Sequence, residues 1–206
     1  MRNPVITVLA FAAVTFTPAA SAELQILVDG QQRPEYSHRG TTYVEALRGR
    51  EYSLRITNPT PHRVAVALAV DGLNTIDAKH TSGWDASKWV LGPYESAVIS
   101  GWQVNDSTAR RFLFTGERQS YGAFLGATDN LGIIEAVFYR ERVRKTEFER
   151  RESMLQEAPS ARDSAAAAPK ALADDEYAAT GMGNRTQHDV EHVNIDLDPR
   201  PFSSVR

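Results

Sequence analysis

Apolar and polar residues alternate with a period of two between residues 50 and 57. Tyr52, Leu54 and Ile56 fall on one side, and Glu51, Ser53, Arg55 and Thr57 fall on the other. Successive side chains of a strand point to opposite faces, so this segment is expected to be a half-buried strand. The run Val64-Ala65-Val66-Ala67-Leu68-Ala69-Val70 is different, because both of its faces are apolar, large on one and small on the other. That pattern predicts a central strand covered on two sides. Further strands are expected at residues 24–28, 41–46, 88–91, 96–100, 111–115 and 133–139, the fourth continuing to 104 past a bulge at Gly101.

Turn signals separate these segments. Asp29-Gly30 and Asp71-Gly72 suit the positive φ of tight turns, and Asn58-Pro59-Thr60-Pro61 and Gly92-Pro93 cannot continue a ladder. Helical periodicity is missing between residues 23 and 139, and the glycines of Gly122-Ala123-Phe124-Leu125-Gly126 are not expected to open a helix. Short strands with frequent turns predict an all-β fold. The expected architecture is an antiparallel β-sandwich, jelly-roll-like or Ig-like, over residues 23–143. The pattern is irregular between residues 73 and 87, which predicts a long loop with at most one short strand.

Both ends depart from this body. One arginine, an apolar run from Val5 to Phe16 and Ala19-Ala20-Ser21-Ala22 have the layout of a signal peptide, with cleavage expected after Ala22. The run is shorter than the about 20 residues that span a bilayer, so no transmembrane anchor is expected in the mature chain. The expected location is periplasmic or secreted. Residues 144–180 are charged and then Ala-rich, the composition of a linker that is partly helical or disordered. Val190, Val193, Ile195 and Leu197 among polar residues allow a β-hairpin at 181–206 that folds back on the body.

Composition narrows the chemistry. The net charge is −3, and the basic stretch from Arg140 to Arg151 is interleaved with Glu141, Glu147 and Glu149, which argues against nucleic acid as a partner. Cysteine is absent, so disulfides, thiolate chemistry and Cys-ligated metals are excluded. His188 and His192 share one side only in a helix. In a strand they stand roughly 13 Å apart, too far to share one ion. No metal and no cofactor are therefore expected.

Aromatic residues in and around the long loop supply the candidate contact surface. Trp84, Trp89, Tyr94 and Trp102 accompany Asn74, Asp77, His80 and Asp85. Indole and phenol rings offer flat faces with a polar edge, suited to stacking on sugars or gripping a protein surface. Trp89 and Trp102 flank strands and fit a core equally well, whereas the Gly-Trp-Asp setting of Trp84 reads as a loop tip. No Gly-x-Ser-x-Gly is present, and no residue is assigned a catalytic role.

The segments Val70-Asp71-Gly72-Leu73-Asn74-Thr75-Ile76-Asp77, Leu91-Gly92-Pro93-Tyr94 and Ile99-Ser100-Gly101-Trp102 resemble a group of exported bacterial β-rich proteins without assigned function. Gly132-Ile133-Ile134 and Thr180-Gly181-Met182-Gly183 extend the resemblance over most of residues 43–206. It implies a β-sandwich-like domain, a terminal hairpin, no established enzyme activity and no catalytic residues to carry over.

The leading expectation is an exported, non-enzymatic binding or structural module of the bacterial cell envelope, with an envelope glycan or protein as partner. One alternative is an envelope polysaccharide hydrolase, in which two of Asp71, Asp77, Asp85 and Glu95 face each other across a pocket. A second is a self-assembling β protein that pairs through exposed strand edges.

Overall fold

The computed structural model describes residues 22–142 and 178–206. The expected leader, apart from Ala22, and most of the expected linker lie outside the described residues. In chain order the strands are β1 (Glu23–Val28), β2 (Gln31–Gln32), β3 (Glu35–His38), β4 (Thr41–Val44), β5 (Glu51–Thr57), β6 (Val64–Val70) and β7 (Leu73–Asn74). They continue as β8 (Trp89–Leu91), β9 (Ser96–Ile99), β10 (Gly101–Asn105), β11 (Thr108–Gly116), β12 (Ile134–Glu141), β13 (Ala178–Gln187) and β14 (Leu197–Val205).

Two antiparallel sheets pack face to face. The first runs β10-β11-β5-β1-β2, with β13 on the free edge of β11 and β9 beside β5. The second runs β14-β12-β6-β7, with β8 also beside β6. β3 and β4 form a separate ribbon with exposed side chains, including the facing pair Tyr36 and Tyr43.

The alternation read in β5 builds the interior. Tyr52, Leu54 and Ile56 point inward, and meet Val64, Val66, Leu68 and Val70 of β6 and Ala136 and Phe138 of β12. Val28, Ile99, Trp102, Phe112 and Phe114 join the same cluster from the first sheet. Each large side chain removed from water here contributes about 1.5–3 kcal/mol. The small face of β6 is also covered. Ala67 packs with Ala86 and Tyr139, and Val137 and Leu197 lie against them. The double apolar pattern of β6 thus has a simple cause: the loop after β7 lies on its outer side. Ala22, the residue expected to end the leader, is buried in the main core at the start of β1.

Two local readings change. Residues 122–126 do open a helix, one turn long: α1 (Tyr121–Leu125). The Ser120 side chain accepts from Ala123 N–H at 2.9 Å, and Gly126 ends the turn at φ 71°. Sequence periodicity has no power over a single turn, whereas the capping residues suffice to make one.

The C-terminal segment folds back on the body, but β13 and β14 are not a hairpin. β13 pairs with β11 in the first sheet, and β14 pairs with β12 in the second. Each closes an edge that a terminal hairpin would have left unpaired. The crossing between them is tied down by His188 N–H to the Ser107 carbonyl at 3.0 Å and Val190 N–H to the Asp106 carbonyl at 2.8 Å.

Candidate functional site

The loop between β7 and β8 is built by its own polar side chains. Asn74 is buried. Its Nδ2 donates to the Ser87 carbonyl at 2.8 Å, and its Oδ1 accepts from Ile76 N–H at 2.9 Å. Asp77 accepts from Lys79 N–H at 3.1 Å and from Ser87 Oγ at 2.9 Å. Ser82 Oγ donates to Asp85 at 2.6 Å, closing a turn in which Ala86 N–H reaches the Ser82 carbonyl. His80 Nδ1 lies 2.9 Å from the Gly72 carbonyl. These four predicted site residues therefore fix the loop.

Thr75 stitches the loop to both sheets. Its N–H donates to Leu68 of β6 at 3.0 Å, and its carbonyl accepts from Gln103 N–H of β10 at 2.9 Å.

Trp84 alone among the three tryptophans stands clear of the interior, 43% exposed. Gly83 makes this placement feasible, because a Cβ there would lie 3.0 Å from Tyr139 Oη and 3.4 Å from Val137. The loop consequently sits close on β12, and the Trp84 ring meets Tyr139 edge-on at 5.5 Å. The Lys88 ammonium is 5.5 Å from the Trp84 ring centre and 5.3 Å from that of Tyr139. It also donates to the carbonyls of Trp84 and Ala86. Burial holds the Lys88 pKa below the ordinary lysine range, against the pull of Asp85. Burial first, then Asp85 and Glu135, raise that of Tyr139. The result is a supported indole with a cation at its side.

The other predicted aromatics do not join it. Trp89 is half-buried, donates from Nε1 to Thr75 Oγ1 at 2.9 Å and lies 5.4 Å from the His188 ring. Burial lowers the His188 pKa, and its Nδ1 is 2.9 Å from Gln103 Oε1. Tyr94 is 69% exposed on the turn between β8 and β9, and no ring contact links it to Trp84 among the described residues. Trp102 is a core residue, 3% exposed, edge-on to Phe112 at 5.3 Å. Its assignment to the contact surface is corrected: β10 turns its ring inward, where the indole N–H finds the Gly181 carbonyl at 3.4 Å.

Asp77 and Trp102 do line one hollow, of about 440 Å³. Its other walls carry Arg110 of β11, Met182 and Arg185 of β13 and Tyr121 of α1. The sequence reading missed these four, because it takes the pairing of β11 with β13 and the contact of Tyr121 with Trp102 to bring them together.

No family model, curated protein or solved structure matches this chain. Four separate segments of the chain, 70–77, 99–102, 132–134 and 180–183, meet in the fold. Asp71, 3% exposed and at φ 52°, accepts from Gly132 N–H at 2.8 Å and from Thr180 N–H at 2.6 Å. Thr180 Oγ1 is 2.6 Å from the Tyr52 hydroxyl. Together with the Trp102–Gly181 bond, these contacts lock β13 to the end of β6 and to β10. Burial pushes the Asp71 carboxyl up to about 6, with the two backbone N–H groups pulling it partly back.

The four carboxylates considered for hydrolysis serve local structure. Asp71 is in this lock, Asp77 and Asp85 hold the loop, and Glu95 accepts from Gly92 N–H at 2.6 Å. Neither the large hollow nor the smaller one of about 100 Å³ beside Gly83 is lined by two of them. Among the described residues no cluster of three or more His, Asp or Glu is placed to hold a metal ion. No described helix is long and apolar enough to cross a membrane.

Proposed function

We propose that the protein is an exported, non-enzymatic binding module of the bacterial cell envelope, periplasmic or secreted, which meets its partner through Trp84 and the loop around it. The observation that carries this reading is the 43% exposure of an indole on a loop pinned to both sheets. A large apolar ring held outward on a rigid scaffold is suited to recognition, because little is lost in ordering it on binding. Lys88 beside the ring adds a donor for hydroxyl or carboxylate groups, which favours an envelope glycan. The leader-like residues 1–22 support export. The separate local duties of Asp71, Asp77, Asp85 and Glu95 weigh against the hydrolase reading, which needs two of them across one pocket.

Trp84→Ala is the direct test. Because the ring is half exposed, the variant should lose no more than about 1 kcal/mol of stability in urea unfolding. Against a panel of envelope glycans, wild type should retain at least one species and the variant should release it. A wild type that retains none, or a variant that binds as well, removes Trp84 from the recognition surface. Export is checked separately by following full-length and 23–206 chains through cell fractionation. The short form should stay with the cytoplasm.

A further inference from the structure

The antiparallel pairing of β11 with β13 sets Arg110 directly opposite Arg185. Like charges at facing positions of a sheet repel, and a nearby carboxylate is the ordinary remedy. None is supplied here: among the described residues neither guanidinium forms an ion pair. Arg110 has one long hydrogen bond, to the Gly183 carbonyl at 3.4 Å. The neighbouring Arg111 shows the contrast, since it pairs with Glu51 at 3.5 Å.

Both unpaired arginines line the hollow of about 440 Å³. Asp77, the carboxylate in its wall, is already engaged by Lys79 N–H, by Ser87 Oγ and by the Lys79 ammonium at 3.9 Å. The hollow therefore carries two guanidinium groups against one carboxylate, which Lys79 and Ser87 already engage. Beside them stands the Tyr121 ring, fixed edge-on against Trp102 at 5.1 Å and stacked on Phe124 at 6.3 Å. Met182, 43% exposed, adds an adaptable apolar wall. The volume falls within the about 300–1,000 Å³ usual for small-ligand sites.

We infer that this hollow binds a small ring-bearing anion, with carboxylate or phosphate oxygens held between Arg110 and Arg185 and the ring against Tyr121 and Met182. Planar guanidinium groups suit either oxyanion, because each presents paired N–H donors. The hollow shares residues 75–78 with the loop that carries Trp84, but Trp84 does not line it, so the two readings are tested by different variants.

Calorimetric titration of the full chain with glucuronate, glucose 6-phosphate and glucose tests the inference. At least one anion should bind and neutral glucose should not, and the stronger of the two anions identifies the oxyanion preferred. Added salt should weaken the interaction. Arg185 is exposed, so Arg185→Gln should fold normally and bind about tenfold more weakly, a difference of about 1.4 kcal/mol. Arg185→Glu gives a second readout. The introduced carboxylate faces Arg110, so the melting temperature should rise while anion binding disappears. The inference is overturned if neither anion binds at millimolar concentration, if glucose binds equally, or if Arg185→Gln binds like wild type.

Discussion

Asp71→Ala is expected to lose about 3 kcal/mol near pH 4, where the carboxyl is protonated, and to loosen β13 from the body. The substitution strips the acceptor from two backbone donors, Gly132 N–H and Thr180 N–H, at a site only 3% exposed. Each buried donor left unpaired costs about 1–3 kcal/mol. Alanine must also hold the left-handed φ of 52° without the local polar contacts that make this region accessible to Asp and Asn. The loss falls where the C-terminal segment enters the sheet, so proteolysis should cut the variant first around residues 178–187. Urea unfolding measures the stability, and mass spectrometry of a brief digest locates the opening. A variant as stable and as resistant as wild type would mean that the lock does not hold β13.

The same carboxyl gives stability a pH dependence of unusual sign. Asp71 titrates near 6 in the fold, above the value of about 3.9 for an unfolded aspartate. The folded state thus binds the proton more readily, and its stabilising contribution is complete below the unfolded value. It is lost as pH rises from about 4 through 6, because the charge must then be kept in a buried site. Raising the carboxyl from about 3.9 to about 6 corresponds to about 3 kcal/mol over the whole range. Paired surface carboxylates act in the opposite sense and obscure the effect in wild type alone. Asp71→Asn isolates it, since asparagine tolerates the positive φ and does not ionise. The wild-type advantage over Asp71→Asn should shrink by about 2 kcal/mol between pH 4 and pH 7. A constant difference would show that Asp71 is not desolvated in solution.

The elements legible from sequence were those whose cause is local. Alternation in β5 and the large-small pattern of β6 state which side chains face the core, and the packing of Leu54, Ile56, Val66 and Leu68 agrees. Partner choice was not legible. Nothing local to β9 and β10 says that one lies beside β5 and the next beside β11, or that β13 and β14 part into different sheets. The site divides along the same line. The setting of Trp84 between Gly83 and Asp85 marked a loop tip, and it is one. Trp102 has the same side chain, and only the inward turn of β10 makes it core. Arg110 and Arg185 are separated by a long stretch of chain and face each other solely through the register of β11 with β13.

Gly101→Ala adds one methyl group and should cost about 4 kcal/mol or more, enough to prevent recovery of folded protein. The glycine marks the step where the chain leaves β5 at the end of β9 and joins β11 as β10. There the two backbones approach so closely that an added Cβ would run into the Arg110 carbonyl and lie 2.7 Å from Arg111 Cα. Both obstacles are main-chain atoms in a paired strand, so no side chain can swing aside to make room. Relief requires β10 and β11 to separate, which also parts Trp102 from Phe112 and draws the indole N–H away from Gly181. The effect is steric, since Gly101 is not among the positive-φ glycines. Gly126→Ala provides the control. Gly126 sits at φ 71° with nothing within 4 Å of an added Cβ, so its replacement should cost only the left-handed strain, about 1 kcal/mol. Urea unfolding of both variants decides the matter. Equal, mild losses would mean that β10 and β11 cross with more room than this register allows, and the placement of Trp102 in the core would have to be redrawn with them.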